Sequence, residues 1–244
     1  MFVMLNEGTD VTELLGVQLY DIPVPACLSG KVKGRLPVFV PKTDETRVQL
    51  LIDILKTYEG EECYITEKLD GASVSIFLVN GQFGVCSRNL ELLETEGNSI
   101  WSVIREMDVE NKLRVLGRNL VLQGEIVGPG IQENKLKLNT HHIFYFNVID
   151  ADIHRYLSYN EFVDTIGKLG LQVVPLVECN WKLISDIPSL VQKATRRSIF
   201  SQDIWAEGIV IRPIEEKHTV CNELPHGRLS FKVINPEFLL QYGG

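Results

Sequence analysis

Residues 63–92, CYITEKLDGASVSIFLVNGQFGVCSRNLEL, decide the fold. CYITEKLDGASVSIFLV and QFGVCSRNLEL are rich in β-branched and aromatic residues, and Asn80-Gly81 between them suits the tight turn of a hairpin. The stretch therefore reads as two strands joined by that turn. Upstream, DETRVQLLIDILKTYEG places Val48, Leu51, Ile52 and Leu55 on one face and predicts a helix ended by Gly60. Downstream, Ile100, Val103, Ile104 and Met107 predict a helix between Gly97 and Leu116, followed by strands at NLVLQGEIV and HIFYFNVID. Ser158 with Glu161 forms a capping box for EFVDTIGKLG, and a further helix is expected near SLVQKATRR. AEGIVIRP and GRLSFKVI read as the last strands, with PEFLLQY a short closing helix. Residues 1–42, punctuated by proline and glycine, read as loops and short strands wrapped on a core. Turn-paired strands dominate over crossover helices, so the class is α+β with mainly antiparallel sheets and no internal repeat.

The 244 residues are 45% apolar and 23% charged, an ordinary globular composition that excludes disordered and collagen-like architectures. They suffice for a large core without a disulfide framework or structural metal. With 24 basic and 32 acidic side chains the net charge is −8, which argues weakly against a nucleic-acid partner, since a phosphate site needs only a local cationic cluster. Cys27, Cys63, Cys86, Cys179 and Cys221 are odd in number and in no metal-ligand spacing, so buried free thiols in a reducing compartment are expected. MFVMLNEGTD has no signal-peptide pattern and no stretch approaches the roughly 20 apolar residues of a membrane span. A soluble cytoplasmic protein without membrane contact is the expectation.

Lys68 stands at a predicted strand end in Thr66-Glu67-Lys68-Leu69-Asp70-Gly71, where glycine lets the chain turn and a ligand approach. A lysine there is a candidate nucleophile once desolvation and nearby positive charge favour its neutral form. Lys-x-Asp-Gly alone recurs by chance, and such a lysine is commonly a solvated surface pair. Three later segments repeat the theme of charge in an apolar strand: Gly124-Glu125 in LQGEIVG, Glu207-Gly208 in AEGIVIR, and Lys232 in SFKVI. Charge in a buried strand is costly unless it is paired or meets a ligand or metal. An ion pair such as Glu125 with Lys232 would explain any one of them. Two acids and two lysines together favour a site for a divalent metal and a polyphosphate.

The order KLDG, SRN, GEIVG, FYFNVID, EGIVIR and SFKVI, from Lys68 to Lys232, resembles the covalent nucleotidyltransferase superfamily of polynucleotide ligases and RNA-capping enzymes. Within it, PKTDETR and GEIVGPGIQENK are similar to ATP-dependent RNA ligases of the nick-sealing type and a sibling group of 3′-hydroxyl RNA ligases. The resemblance implies an ATP-grasp-like nucleotidyltransferase domain, its antiparallel sheets flanked by helices. It also implies ATP as co-substrate with Mg2+ or Mn2+, and RNA carrying a 5′-phosphate and a 3′-OH as the other substrate. It assigns Lys68 to attack on the α-phosphate of ATP, Glu67 to adenine contact, and Arg88 to the ribose and incoming phosphate. Glu125 is assigned to the ribose or a metal, Phe146 to stacking on adenine, Glu207 to the metal, and Lys232 to the α-phosphate. Arg47 is expected at the leaving pyrophosphate or the RNA phosphate. Without the resemblance, Phe146 reads as core, Arg88 as a turn residue, and Arg47 as a helix residue paired with Asp44. His141 and His142, adjacent on a strand, point to opposite faces and stay outside the site.

The sequence departs from the family pattern at Ser73 and Asn147, which stand where Asn and Asp are common, and at Ile234, which stands where a second lysine is common. Arg228 or Lys217 is expected to supply that missing charge. Only twelve residues follow Lys232, so residues 1–244 are expected to form a single nucleotidyltransferase domain, with a partner protein or a further domain completing the grip on RNA. Alternatives are an RNA-capping or DNA-joining relative, an RNA 5′-adenylylating domain that seals poorly, and a non-catalytic nucleotide-binding module.

Overall fold

The computed structural model describes residues 9–16, 31–220, 222–224 and 227–243. The elements are α1 (Thr12–Leu15), β1 (Val32–Arg35), β2 (Thr46–Arg47), α2 (Ile52–Thr57), β3 (Glu62–Lys68), β4 (Ala72–Val79), β5 (Gln82–Cys86) and β6 (Leu90–Leu92). There follow α3 (Ser99–Glu106), α4 (Val109–Leu116), β7 (Leu120–Val127), β8 (His142–Asp150), β9 (Arg155–Tyr156), α5 (Tyr159–Lys168), β10 (Gln172–Val173) and β11 (Leu176–Lys182). The chain closes with α6 (Ile187–Ala194), β12 (Gly208–Pro213), β13 (Phe231–Ile234) and α7 (Pro236–Tyr242).

Two sheets result. The larger runs β1-β6-β5-β4-β7-β8-β10, with β9 also on β8, and the smaller runs β11-β3-β12-β13-β2. All pairings are antiparallel except β10 with β8 and β13 with β2. The predicted hairpin is β4–β5, and Asn80 and Gly81 take the positive φ values that the turn demands. The first predicted strand is interrupted, however. Its halves, β3 and β4, separate at Leu69-Asp70-Gly71 and join different sheets, so Lys68 ends one sheet where the other begins. Gly71 is obligatory at this joint, since a Cβ there would lie 2.4 Å from the Ile126 carbonyl oxygen.

Each sheet buries its outer face under helices. Leu120, Leu122 and Ile126 of β7 pack with Ile104, Leu113, Phe162 and Ile166 of α3, α4 and α5. Ile65, Ile209, Ile211, Phe231 and Val233 pack with Leu51, Leu55, Leu190 and Ala194. Period-2 alternation then turns Thr66 and Lys68, Val210 and Arg212, Ser230 and Lys232 to the other face of the smaller sheet. Gln123 and Glu125 alternate likewise away from the helix-covered face of the larger one.

Several expected elements differ in extent. The helix expected over DETRVQLLIDILKTYEG is instead β2, a single 3-10 turn over Val48–Leu50, and α2, because Thr46 and Arg47 pair with Phe231 and Lys232. Val48, Leu51 and Leu55 are buried as predicted, but Ile52 is exposed. The helix expected between Gly97 and Leu116 is two, broken at Asp108, whose φ is 54°. The capping box of Ser158 and Glu161 opens α5. Of residues 1–42, expected as loops and short strands, 1–8 and 17–30 lie outside the described residues; the remainder holds the strand β1 but also a single helical turn, α1, beyond that expectation. Cys63 and Cys86 are buried free thiols and Cys179 is half-buried, while Cys27 and Cys221 lie outside the described residues. No helix among the described residues is long and apolar enough to cross a membrane.

Candidate active site

The inner faces of the two sheets meet over a cavity lined by Thr43, Glu45, Thr66, Glu67, Lys68, Glu125, Phe146 and Arg212 among others. Phe146 enters it because β8 carries an irregularity there. Gln123 pairs with Asn147 and Gly124 with Tyr145, leaving Phe146 as the extra residue of a bulge. Bulges re-aim side chains beside functional sites in this way. Across from the ring, the Arg212 guanidinium lies 5.7 Å from its centroid. Arg212 is 2% exposed; its Nε donates to Ser230 Oγ at 2.9 Å and one Nη donates to Glu45 at 2.7 Å. Its Nη1 is buried without a hydrogen-bond partner among the described residues, a costly state for a charged donor unless a ligand supplies an acceptor.

Lys68 stands at the exit of this cavity. Its Nζ donates to both oxygens of Glu207, each at 2.6 Å. The pair forms because Gly208, next to Glu207, is the strand partner of Lys68. On its other side Gly208 is needed for the close approach of β13, since a Cβ there would lie 2.2 Å from the Val233 carbonyl oxygen. Beyond Lys68 a groove of about 490 Å³ opens, lined by Asp70, Arg88, Glu125, Gln132, Glu207 and Lys232 among others. The sequence pattern thus brings Lys68, Glu125, Glu207 and Lys232 together, but the ion pair is Lys68 with Glu207 and not Glu125 with Lys232.

Burial pushes the Glu125 carboxyl up to about 8, against the pull of Lys68 and a hydrogen bond from the Gly71 N–H. Burial also pushes Glu207 upward, opposed by Lys68. Lys232 is shifted down, first by burial and then by the positive charge of Lys68. Two carboxylates beside a groove with space for phosphate oxygens are a donor set suited to a hard divalent cation. Glu207 and Glu125 are the residues that would hold it.

The other expected residues are arranged less uniformly. Arg88 is exposed at the groove and paired with Asp44. Arg47 is not a helix residue but the exposed end of β2, in register with Lys232 and close enough to influence it electrostatically. Glu67 lines the cavity, yet its carboxylate turns to the opposite face, accepting from Ser198 Oγ at 2.6 Å and Ile199 N at 2.7 Å. Neither Arg228 nor Lys217 replaces the missing lysine charge. Arg228 is 6% exposed and held by Glu216 and Asn147, and Lys217 lies 3.5 Å from Glu61. Ser73 bonds Thr43 at 2.8 Å. His141 and His142 bond Pro129 and Thr140, each with its own neighbour. Arg212 and Glu45 were legible only as parts of EGIVIR and PKTDETR; their meeting over Phe146 required the two sheets.

The sequence profile of the RNA ligase family matches residues 61–234. Solved structures of a Naegleria gruberi RNA ligase, one with PPi and others of lysine variants with ATP and Mn or AMP and Mn, are 32% identical to this chain. They superpose with a TM-score of 0.79 over 97% of this chain and 68% of theirs. No curated protein matches at the level of sequence. The chain belongs to the RNA ligase family, enzymes that form phosphodiester bonds.

Proposed function

We propose that the protein is an ATP-dependent RNA ligase working through a lysyl-adenylate on Lys68. The observation that carries this reading is the position of Lys68 Nζ between the cavity of Phe146 and Arg212 and the groove of Arg88 and Lys232. A purine in the cavity would stack on Phe146 and offer a ring nitrogen to the unpartnered Nη1 of Arg212. Its α-phosphate would then lie beside Lys68, with the polyphosphate along the groove. In the first step the Lys68 ammonium gives one proton to solvent, the neutral Nζ bonds to the α-phosphorus, the bond to the β-phosphate bridging oxygen breaks, and pyrophosphate leaves as a second Nζ proton passes to solvent. Glu207 orients Nζ, and Lys232 and Arg88 balance the negative charge on the α-phosphate oxygens in the transition state. A bound Mg2+ or Mn2+ supplies charge neutralisation of the phosphates.

An RNA 5′-phosphate oxygen then attacks the lysyl-adenylate phosphorus, breaking the P–N bond. Finally a 3′-OH attacks the activated 5′-phosphate and AMP leaves. Support also comes from the Naegleria variants. A substituted arginine precedes a substituted lysine there by the number of residues separating Arg47 from Lys68, and a substituted glutamate follows it by the number separating Glu125 from Lys68. The two sheets with their shared site are read as one ATP-grasp-like adenylylating unit spanning residues 1–244, acting on RNA ends with a partner or further domain. Buried thiols at Cys63 and Cys86 support a reducing, cytoplasmic setting.

Incubation with α-labelled ATP and Mn2+ or Mg2+ is expected to label the protein covalently, and label surviving in Lys68→Ala would overturn the reading. Labelling by GTP alone would favour a capping relative.

A further inference from the structure

The segment between β7 and β8 borders the groove at Gln132 in an unusual backbone conformation. Gln132, Glu133, Asn134 and Lys137 all take left-handed backbone angles, with φ between 43° and 59°. Such backbone angles persist only where the surroundings enforce them. One anchor is local, since the Asn134 side chain both donates to Leu138 O and accepts from Leu138 N. The other is Lys135. Its Nζ donates to Asp70 Oδ2 at 2.8 Å and to Gln132 O at 3.2 Å, and its side chain is 13% exposed. The same ammonium lies 5.7 Å from the Phe238 ring and 5.8 Å from the Tyr242 ring of α7. One half-buried cation therefore ties three pieces together: the strap, the turn after Lys68, and the helix that follows the strand of Lys232.

Asp70 is two residues beyond Lys68, and the next residue, Gly71, donates its N–H to Glu125. Without Lys135, Asp70 would be a free acceptor beside an ammonium that Glu207 already holds, and a negative charge at the mouth of a groove meant for phosphates. We infer that Lys135 is a positioning residue for nucleotidyl transfer: by holding and neutralising Asp70 it fixes the Lys68–Gly71 turn in its productive orientation. It also makes that turn sensitive to the placement of α7. The inference rests on the lysyl-adenylate reading above.

The test compares Lys135→Met, Lys135→Arg, Asp70→Asn and the double variant Lys135→Met/Asp70→Asn in the whole protein. The rate of covalent labelling at saturating ATP is expected to fall about tenfold to a hundredfold in Lys135→Met with little change in the ATP concentration for half-maximal rate. Lys135→Arg should recover much of the rate, and the double variant should be no slower than Lys135→Met. Amide hydrogen exchange without nucleotide reads the clamp separately from the chemistry: Lys135→Met should accelerate exchange at residues 69–72 and 132–138 and in α7 together. Exchange unchanged in these three segments overturns the inference even if no protein is labelled, in which case the missing label counts against the lysyl-adenylate itself. Wild-type labelling rates in Lys135→Met, equal losses in Lys135→Met and Lys135→Arg, or additive losses in the double variant overturn it too.

Discussion

Lys68 Nζ donates to both carboxylate oxygens of Glu207, 139 positions away in the chain, with side chains only 24% and 17% exposed. Removing Lys68 leaves Glu207 among the like charges of Glu125 and Asp70, and removing the Glu207 charge deprives Lys68 Nζ of its charged acceptor. Lys68→Met and Glu207→Gln are each expected to lower stability by about 1–2 kcal/mol, with the double variant losing less than the sum. Urea unfolding of the four proteins checks this, and strict additivity would contradict a coupled pair. Glu207→Gln is further expected to slow covalent labelling about a hundredfold.

Phe146 and Arg212 predict where nucleotide affinity resides. Phe146→Leu keeps an apolar side chain in the bulge but removes the stacking surface, worth about 1–3 kcal/mol for a base. The ATP concentration for half-maximal labelling should rise about tenfold or more while the saturated rate changes little. A variant altered in rate but not in affinity would remove Phe146 from base binding.

Asn147 is the link in a buried chain that the sequence showed only as a departure. Arg228 donates to Asn147 Oδ1 at 3.0 Å, Asn147 Nδ2 donates to Gln123 Oε1 at 3.0 Å, and Gln123 Nε2 donates to Pro41 O at 2.7 Å. Each link runs from donor to acceptor towards Pro41, at the head of the segment carrying Thr43, Asp44 and Arg47. An ionised aspartate has no proton to give Gln123, so Asn147→Asp is expected to cost about 1–3 kcal/mol in urea unfolding despite its near-identical shape. Unchanged stability would show that the order of donors is immaterial.

Glu161 gives the pH dependence a clear sign. Hydrogen bonds from Arg155, then from the Ser158 amide, hold its carboxyl down at about 2. A carboxyl depressed on folding contributes stability fully above its unfolded value near 4.5, and loses that contribution as pH falls towards 2. The side chain is 46% exposed, so screening reduces the contribution to about 0.5–1 kcal/mol. The difference in melting temperature between wild type and Glu161→Gln should be present at pH 7 and shrink towards pH 3; a constant difference would leave only the neutral capping bonds.

Much of the site was legible in the chain itself, because local rules act on local residues. The turn glycine after Lys68 and costly charges in apolar strands singled out Lys68, Glu125, Glu207 and Lys232, Asn80-Gly81 fixed the hairpin, and Ser158 with Glu161 fixed the start of α5. What pairs with what was decided by tertiary structure. Whether Glu125 or Glu207 takes Lys68, whether Arg228 serves the groove or a buried network, and whether Arg47 ends a strand or lies in a helix depend on which strands become neighbours. Local pattern says nothing of that choice, since the break at Leu69-Asp70-Gly71 sends β3 and β4 into different sheets. Lys68 reaches its site because the chain changes sheets directly after it, a step enforced by the close backbone approach at Gly71.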